Sequence, residues 1–197
     1  MSTNTITARR RILDTARELF YQEGIHTTGI DTIIERSGVA KATLYHHFAS
    51  KEALIEAYLQ ERDQIFWTWF EEAISGEQEA KGKLLAFFDA VIIKVSTPGY
   101  RGCGFLNCAA EFPNATSAGH YLPRATKHEM RRRLLQLCQQ MQVEQPAILA
   151  DQLVLLAEGS FASTPLFDPP YPVLHVKEAA RLLIEAHSRA NGEQSTS

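Results

Sequence analysis

Apolar residues recur along the chain at spacings of three and four, and strict alternation of apolar and polar residues is almost absent. This periodicity predicts an all-α fold. The clearest early example is a first helix that ends near Gly24. The residues on its apolar face are Ile12, Ala16, Leu19 and Phe20.

Two short helices are expected next. The pattern Thr28-x-x-Asp31 resembles a capping box and predicts the start of a helix that ends at Gly38. Leu44 and Phe48 are four residues apart and predict a third helix. Two short helices joined by a turn that contains glycine are typical of a helix-turn-helix, whose second helix enters the DNA major groove.

The segment after Ser50 predicts a long connecting helix, KEALIEAYLQERDQIFWTWFEEAI. Turn-rich segments separate the further helices expected at 80–95, 105–112, 120–142, 146–163 and 174–190. We therefore expect a three-helix domain at residues 1–50, joined by the long helix to a C-terminal helical domain within residues 51–191. Residues 192–197 are expected to form a disordered tail.

Composition narrows the class of protein. The chain has 197 residues, 45% of them hydrophobic, and a net charge of -3. No signal-peptide pattern and no membrane-length apolar run is visible, so a cytoplasmic location is expected. Residues 1–60 contain seven Lys and Arg against seven Asp and Glu, so DNA binding must depend on where the charges lie. Three cysteines, an odd number, indicate reduced thiols.

The helical register of residues 39–48 points Val39, Leu44 and Phe48 inward. The outward positions are Lys41, Ala42, Thr43, Tyr45 and His46. A polar helix face is often only solvated, but an outward tyrosine favours contact between its hydroxyl and a phosphate. Small and polar groups early in this helix are suited to base edges.

Phosphate contacts are expected around this helix. Lys41 and Lys51 flank it, and Thr28 with the start of the second helix offers free backbone N–H groups. The arginines that precede the first helix are expected to form an arm that reaches the DNA backbone or minor groove. They are Arg9, Arg10 and Arg11.

The stretch TARELFYQEGIHTTGIDTIIERSGVAKATLYHHFASKEAL resembles the N-terminal domain of the TetR family of bacterial transcription regulators, over about residues 8–56. Two positions depart from the family pattern: Ala40 replaces the commoner Ser or Thr, and Ala42 replaces the commoner Gly. The missing hydroxyl at Ala40 removes a phosphate contact or a helix cap worth about 1 kcal/mol.

The resemblance implies that seven positions contact DNA: Thr28, Lys41, Thr43, Tyr45, His46, His47 and Lys51. His47 alternatively packs under the helix. Ala42 joins Lys41 and Thr43 as a residue placed for base edges, so modest base readout and substantial backbone contact are expected.

The two last predicted helices, 146–163 and 174–190, are apolar on more than one side. Such helices must be covered on both sides, so one side is expected to pack on the chain's own core and the other on a second copy. The result would be a homodimer with a four-helix interface, reading a pseudo-palindromic operator in double-stranded DNA. The alternative is a fully internal helix in a monomer.

The resemblance also implies a pocket for an unknown small-molecule effector in the C-terminal domain, which would bind ligand and dimerise. No metal, no cofactor and no membrane partner are expected. The expected lining residues are aromatic side chains with a few polar groups: Trp67, Phe70, Phe88, Cys103, Phe105, Asn107, Cys108, Glu111, His120, Tyr121 and Phe161.

Cys103 and Cys108 leave several alternatives open. They are structural, they sense electrophiles or redox state, or they bind metal with His120 and His128. A cysteine enzyme that uses Cys103 with His120 as the base is a remote alternative, because no nucleophile signature surrounds that cysteine. The main prediction is a repressor, not an enzyme, that leaves its operator when a small molecule binds; an activator would share every sequence feature.

Overall fold

The computed structural model describes residues 7–169 and 171–193, and these residues contain helices and no strands, which confirms the all-α prediction. The helices are α1 (Ala8–Gln22), α2 (Ile30–Ser37), α3 (Lys41–His47), α4 (Lys51–Ile74), α5 (Ala80–Val95), α6 (Gly104–Glu111), α7 (Ala118–Gln140), α8 (Pro146–Ser163) and α9 (Val176–Glu193). Two 3-10 turns lie at Thr164–Leu166 and Pro172–His175.

Helix α1 begins one turn earlier than the sequence suggested. Thr7 is its N-cap, and the Thr7 hydroxyl accepts a hydrogen bond from the backbone N–H of Arg10 at 3.2 Å. The predicted arm is therefore wrong, because Arg9, Arg10 and Arg11 belong to the first turn of α1. The apolar face of α1 is buried where it packs on α2 and α3.

The turn into α2 also differs from the prediction. Gly29 is the N-cap of α2 and no side chain caps it, so the predicted capping box is wrong. The Thr28 hydroxyl instead donates to the Gly24 carbonyl at 2.6 Å. At the other end, Gly38 caps α2 in the left-handed conformation with φ of 62°, which a residue without Cβ adopts at no steric cost.

The long helix α4 has the predicted limits. The Ser50 hydroxyl accepts a hydrogen bond from the N–H of Ala53 at 3.2 Å, which satisfies one of the free donors at the helix start. Leu54, Ile55, Tyr58 and Leu59 are all buried. This part of α4 completes the core of the three N-terminal helices.

The chain divides into two compact units. Among the described residues, the N-terminal unit comprises 7–64 with 104–124, and the C-terminal unit comprises 65–103 with 125–169 and 171–193. Helix α6 therefore belongs to the same unit as α1, α2 and α3. The sequence placed a functional boundary at residues 50 and 51, and that division of roles stays a prediction.

Within the C-terminal unit, α5, α8 and α9 pack on one another. Phe87, Phe88, Leu153, Ala180 and Ile184 are fully buried there. Helix α9 continues through residues 192 and 193, which the sequence assigned to the disordered tail; residues 194–197 of that tail lie outside the described residues. None of the helices in the described ranges has the length and apolar content needed to cross a membrane.

Candidate nucleic-acid interface

Helix α3 is held from below by three apolar side chains. Val39, Leu44 and Phe48 are each less than 10% exposed, as their spacing predicted. Ala40 is the N-cap of α3, and no side-chain hydrogen bond caps the helix. The backbone carbonyl of Ala40 accepts hydrogen bonds from the N–H groups of Thr43 and Leu44, which begins the helical hydrogen-bond pattern. The first N–H groups of α3 lack the side-chain hydroxyl that commonly accepts from them.

The opposite face of α3 is polar and open. Lys41, Ala42, Tyr45 and His46 are exposed, and Thr43 is half-buried. Tyr45 is 43% exposed, which is a large solvent-facing area for an aromatic side chain. This face is the α3 surface, defined as residues 41–43 and 45–47.

His47 lies on the open side as well. Its side chain is exposed, and its ring contacts that of His46 edge-on with 5.2 Å between centroids. The alternative in which His47 packs under the helix is therefore wrong. Both imidazoles are available to a partner that approaches the C-terminal end of α3.

Lys41 carries a positive charge at the start of the α3 surface. Its Nζ lies 3.4 Å from a carboxylate oxygen of Asp31 on α2, and the two side chains are 66% and 88% exposed. An ion pair this exposed contributes little to stability. Contact between Lys41 and a DNA phosphate stays a prediction. The negative charge of the Asp31 carboxylate would repel a phosphate that approaches Lys41.

Lys51 has a structural partner. Its Nζ donates to the backbone carbonyl of Ile25 at 2.6 Å, so the first residue of α4 holds the loop that precedes α2. An ammonium has three donor hydrogens, and this bond uses one of them. Contact between Lys51 and a phosphate stays a prediction.

Thr28 and the arginines near the N-terminus were predicted to contact phosphates, but their side chains bind within the chain. The Thr28 side chain is 1% exposed and its hydroxyl is bonded to Gly24, so nothing here supports contact between that hydroxyl and DNA. Arg9 lies over the ring of Phe48 at 5.2 Å, and Arg11 donates to the carbonyl of Gly38 at 3.2 Å.

Arg10 is bound within the N-terminal unit. Its guanidinium contacts the carboxylates of Asp14 and Glu61. The hydrogen bond to Asp14, followed by that to Glu61, raises the pKa of Arg10 above its ordinary value. Arg10 therefore stays fully charged, with much of its charge neutralised by neighbours.

A connection that the sequence did not indicate joins α6 to the loop that precedes α2. The two carboxylate oxygens of Glu111 accept hydrogen bonds from the backbone N–H groups of Ile25 at 3.0 Å and His26 at 2.7 Å. The ring of Phe112 meets that of His26 edge-on at 4.8 Å between centroids. Glu111 therefore fixes this loop, and its predicted place in an effector pocket stays a prediction.

Arg62 adds contacts between α6 and the other helices of the N-terminal unit. Its guanidinium stacks over the rings of Tyr21 at 4.9 Å and Phe105 at 5.6 Å, which connects α1, α4 and α6. A Cβ on Gly104 would lie 2.3 Å from the Cζ atom of Arg62, so a larger residue would displace the guanidinium. Helix α6 is thereby fixed at both ends within the N-terminal unit.

The predicted effector residues are distributed between the two units. Phe105, Asn107, Cys108, Glu111, His120 and Tyr121 belong to the N-terminal unit, whereas Trp67, Phe70, Phe88, Cys103 and Phe161 belong to the C-terminal unit. Phe70 and Phe88 are almost fully buried in the core, and Asn107 and Tyr121 are exposed. A common pocket for these residues stays a prediction.

The three cysteines differ sharply. Cys108 and Cys138 are at most 2% exposed, and burial raises the pKa of each thiol to about 12. Cys103 is half-buried and lies beside Lys127. Within the described ranges, no group of three or more His, Cys, Asp or Glu side chains is arranged to hold a metal ion.

Helices α2 and α3, the left-handed turn between them and the exposed polar face of α3 define a helix-turn-helix in an all-helical protein. The family model for bacterial regulatory proteins of the tetR family matches residues 12–58. The crystal structure of SCO4454, a TetR-family transcriptional regulator from Streptomyces coelicolor, is 32% identical with a TM-score of 0.87, covering 92% of this chain and 96% of that one. The chain belongs to the TetR family.

Curated relatives agree with this family. The HTH-type transcriptional regulator UidR of Escherichia coli is 40% identical over 76 residues, so the match spans 39% of UidR and 39% of this chain. The HTH-type transcriptional repressor ComR of Escherichia coli is 31% identical over 138 residues, which is 66% of this chain and 64% of ComR. These relatives are named as regulators, which points away from an enzyme.

Proposed function

We propose that this chain is a homodimeric transcriptional repressor that binds operator DNA through the α3 surface and leaves it when a small molecule binds elsewhere in the chain. The proposal depends on α3, in which Leu44 is buried while Lys41, Tyr45 and His46 are exposed. A DNA-binding regulator of a bacterial family would act in the cytoplasm, where the operator lies.

The α3 surface suits a mixed contact with a duplex. Lys41, Ala42 and Thr43 occupy the start of the helix, where side chains reach base edges in the major groove. Tyr45, His46 and His47 present donors further along, towards the phosphates. Lys41 and Lys51 supply positive charge, which gives affinity that depends on salt but not on sequence.

A second copy of the chain is supported by an uncovered apolar face in the C-terminal unit. Leu155 is 71% exposed on α8 and Leu182 is 54% exposed on α9. A groove of about 300 Å³ runs beside Leu155 and Gly159 and is bordered by Val176 and Ala179 of α9. Small residues here let helices approach closely, so two copies would form the four-helix interface.

We infer that release from DNA passes through Glu111. Its two hydrogen bonds fix the loop before α2, so they favour one orientation of the helix-turn-helix. A ligand that binds better when α6 is displaced would shift the population towards a form that lacks these bonds. Linkage then requires operator DNA to weaken ligand binding by the same factor.

The test is recovery of the operator from the genome that encodes the chain. Purified full-length protein is incubated with genomic fragments at low salt, and bound fragments are sequenced and footprinted. We expect an enriched pseudo-palindrome whose protected half-sites are about 34 to 36 Å apart, or a multiple of that distance. Absence of enrichment at low salt would refute the proposal, and operator position relative to a promoter separates repression from activation.

A second candidate function is a thiol-based regulator, in which a cysteine senses an electrophile or the redox state. The observation that favours it is the contact between Lys127 and the half-buried Cys103. Burial of Cys108, and the raised pKa that follows from it, argue against a reactive thiol at that position.

A further inference from the structure

A cluster of three chemically different side chains lies inside the C-terminal unit. Lys127 Nζ is 3.4 Å from Cys103 Sγ and 2.7 Å from a carboxylate oxygen of Glu158. Lys127 and Glu158 are 19% and 21% exposed, so this ion pair is shielded from solvent much more than a surface pair. The cluster brings together a nucleophile, a cation and a carboxylate.

The surroundings of the cluster are aromatic. The ammonium of Lys127 lies 5.5 Å from the ring centroid of Phe161 and 6.0 Å from that of Phe66. Tyr100 donates to the backbone carbonyl of Phe161 at 3.0 Å, which fixes this wall. An apolar molecule that reached Cys103 would therefore meet ring surface beside the charged groups.

Glu158 has unused hydrogen-bonding capacity. Its second carboxylate oxygen is buried and accepts no hydrogen bond from any group in the described ranges. A buried carboxylate oxygen without a donor is costly to a fold, and such positions call for a functional explanation. This oxygen is an acceptor on the carboxylate that binds the same lysine as Cys103.

We propose that Cys103 is a covalent site for small α,β-unsaturated carbonyl compounds, with Lys127 and Glu158 assisting the addition. The Cys103 sulfur forms a bond to the β-carbon, and the electron pair of the C=C bond moves to the carbonyl oxygen as an enolate. The thiol proton leaves through Glu158 or water and ends on the α-carbon. The product is a thioether with its carbonyl restored, and no oxidant or reductant is consumed.

The residues present fit this chemistry better than simple oxidation. The thiolate is the nucleophile in such additions, and an ammonium beside the sulfur stabilises the negative charge that develops there. The same ammonium stabilises the enolate oxygen, in the way that fixed donors stabilise charge in a transition state. The aromatic wall favours a reagent with an apolar body, which hydrogen peroxide lacks.

The position of Cys103 in the chain gives the adduct a route to the proposed switch. Cys103 is joined directly to Gly104, the first residue of α6, and α6 ends at Glu111. The claim that the Cys103 adduct releases DNA rests on the proposed function. Addition to the thiol itself is measurable without DNA, so the two proposals fail separately.

The first test treats native full-length protein with 2-cyclohexen-1-one and follows each cysteine by peptide mass spectrometry. We expect addition at Cys103 at least about tenfold faster than at Cys108 or Cys138, because the thiolate form is scarce at the two buried sites. Protein unfolded in denaturant should lose this selectivity. Equal reaction at all three native cysteines, or no reaction at Cys103, overturns the proposal.

Variants test the assisting groups. Lys127→Met should slow addition at Cys103 about tenfold, whereas Lys127→Arg, which keeps the charge, should slow it less. Lys81→Met is the matched control, since Lys81 also pairs with a glutamate on another helix of the same unit. If Lys127→Met does not fold, Glu158→Gln gives the same test, and an unchanged rate in both the folded lysine and glutamate variants overturns the role of the cluster.

A DNA titration tests the effector role. Protein alkylated at Cys103 should bind the recovered operator at least about tenfold more weakly, and Cys103→Ser treated in the same way should be unaffected. Alkylated protein with unchanged affinity overturns Cys103 as an effector site. If untreated protein binds no DNA, the proposed function fails, while the alkylation result still decides whether the site exists.

Discussion

The carboxylate of Glu111 accepts a hydrogen bond of 2.7 Å from the backbone N–H of His26, 85 residues earlier in the chain. The other carboxylate oxygen accepts from the preceding amide, and the carbonyl of Ile25 accepts from Lys51. One short loop is therefore held by α4 and by α6. Because α2 begins four residues after His26, this loop connects α6 and α4 to the start of the helix-turn-helix.

Replacing Glu111 should loosen this loop. Glu111→Ala removes both acceptors, and hydrogen bonds to a charged group are each worth about 1.5 to 3 kcal/mol. We expect faster amide hydrogen exchange in residues 25–29 and a lower unfolding midpoint, measured by exchange mass spectrometry and chemical denaturation. Glu144→Ala, at an exposed position between α7 and α8, is the control and should change neither. Unchanged exchange in Glu111→Ala would show that the loop does not depend on α6.

Replacing Ala40 with serine should raise the free energy of unfolding. Ala40→Ser supplies the hydroxyl that α3 lacks at its N-cap, and such a cap is worth about 0.5 to 2 kcal/mol. We expect a higher denaturation midpoint at equal protein concentration. Ala42→Ser places the same side chain inside the helix, where it should lower stability by a few tenths of a kcal/mol. Equal effects from the two serines would contradict the assigned cap.

Lys41 should contribute one phosphate contact. Lys41→Ala is expected to weaken DNA binding and to flatten the plot of log affinity against log salt by about 0.9. Fluorescence anisotropy over a range of salt concentrations measures this slope. Lys81→Ala removes another exposed, ion-paired lysine, on α5, and should leave the slope unchanged. A slope that Lys41→Ala does not alter would remove this lysine from the phosphate contacts.

A charged side chain introduced on the uncovered face of α8 tests the proposed dimer. Leu155→Glu places a carboxylate on the uncovered face of α8 and should convert the dimer to a monomer, because an unpaired charge at an apolar interface is costly. Ile93 on α5 is equally exposed, at 71%, so Ile93→Glu is a matched control that should remain dimeric. Sedimentation velocity distinguishes the two. A dimer that survives Leu155→Glu would place the interface elsewhere.

Local patterns in the sequence were sufficient for most of the helices. The predicted limits of α4 and α5 agree with the structure. For α4, the capping residue Ser50 marks the start. The buried side of α3 followed from the spacing of Leu44 and Phe48. These features depend on neighbours within about one or two helical turns, which a single sequence records directly.

Contacts between distant segments were not predictable in the same way. Glu111 was assigned to a pocket because nothing near it in the sequence indicates a partner 85 residues away. Thr28 was given a surface role, although its hydroxyl turns back to Gly24 and its side chain is buried. For Glu111 a tertiary contact decides where the polar atoms point, whereas for Thr28 a local bond to a carbonyl four residues earlier competes with the predicted cap.

The most direct measurement is a titration of full-length protein against the duplex recovered from the genome, at low salt and without any added small molecule, with the mass of the complex determined in parallel. The account predicts that two chains bind one duplex through the paired α3 surfaces, and that added salt weakens the complex steeply. A chain that stays monomeric and shows no affinity for double-stranded DNA under these conditions would contradict it.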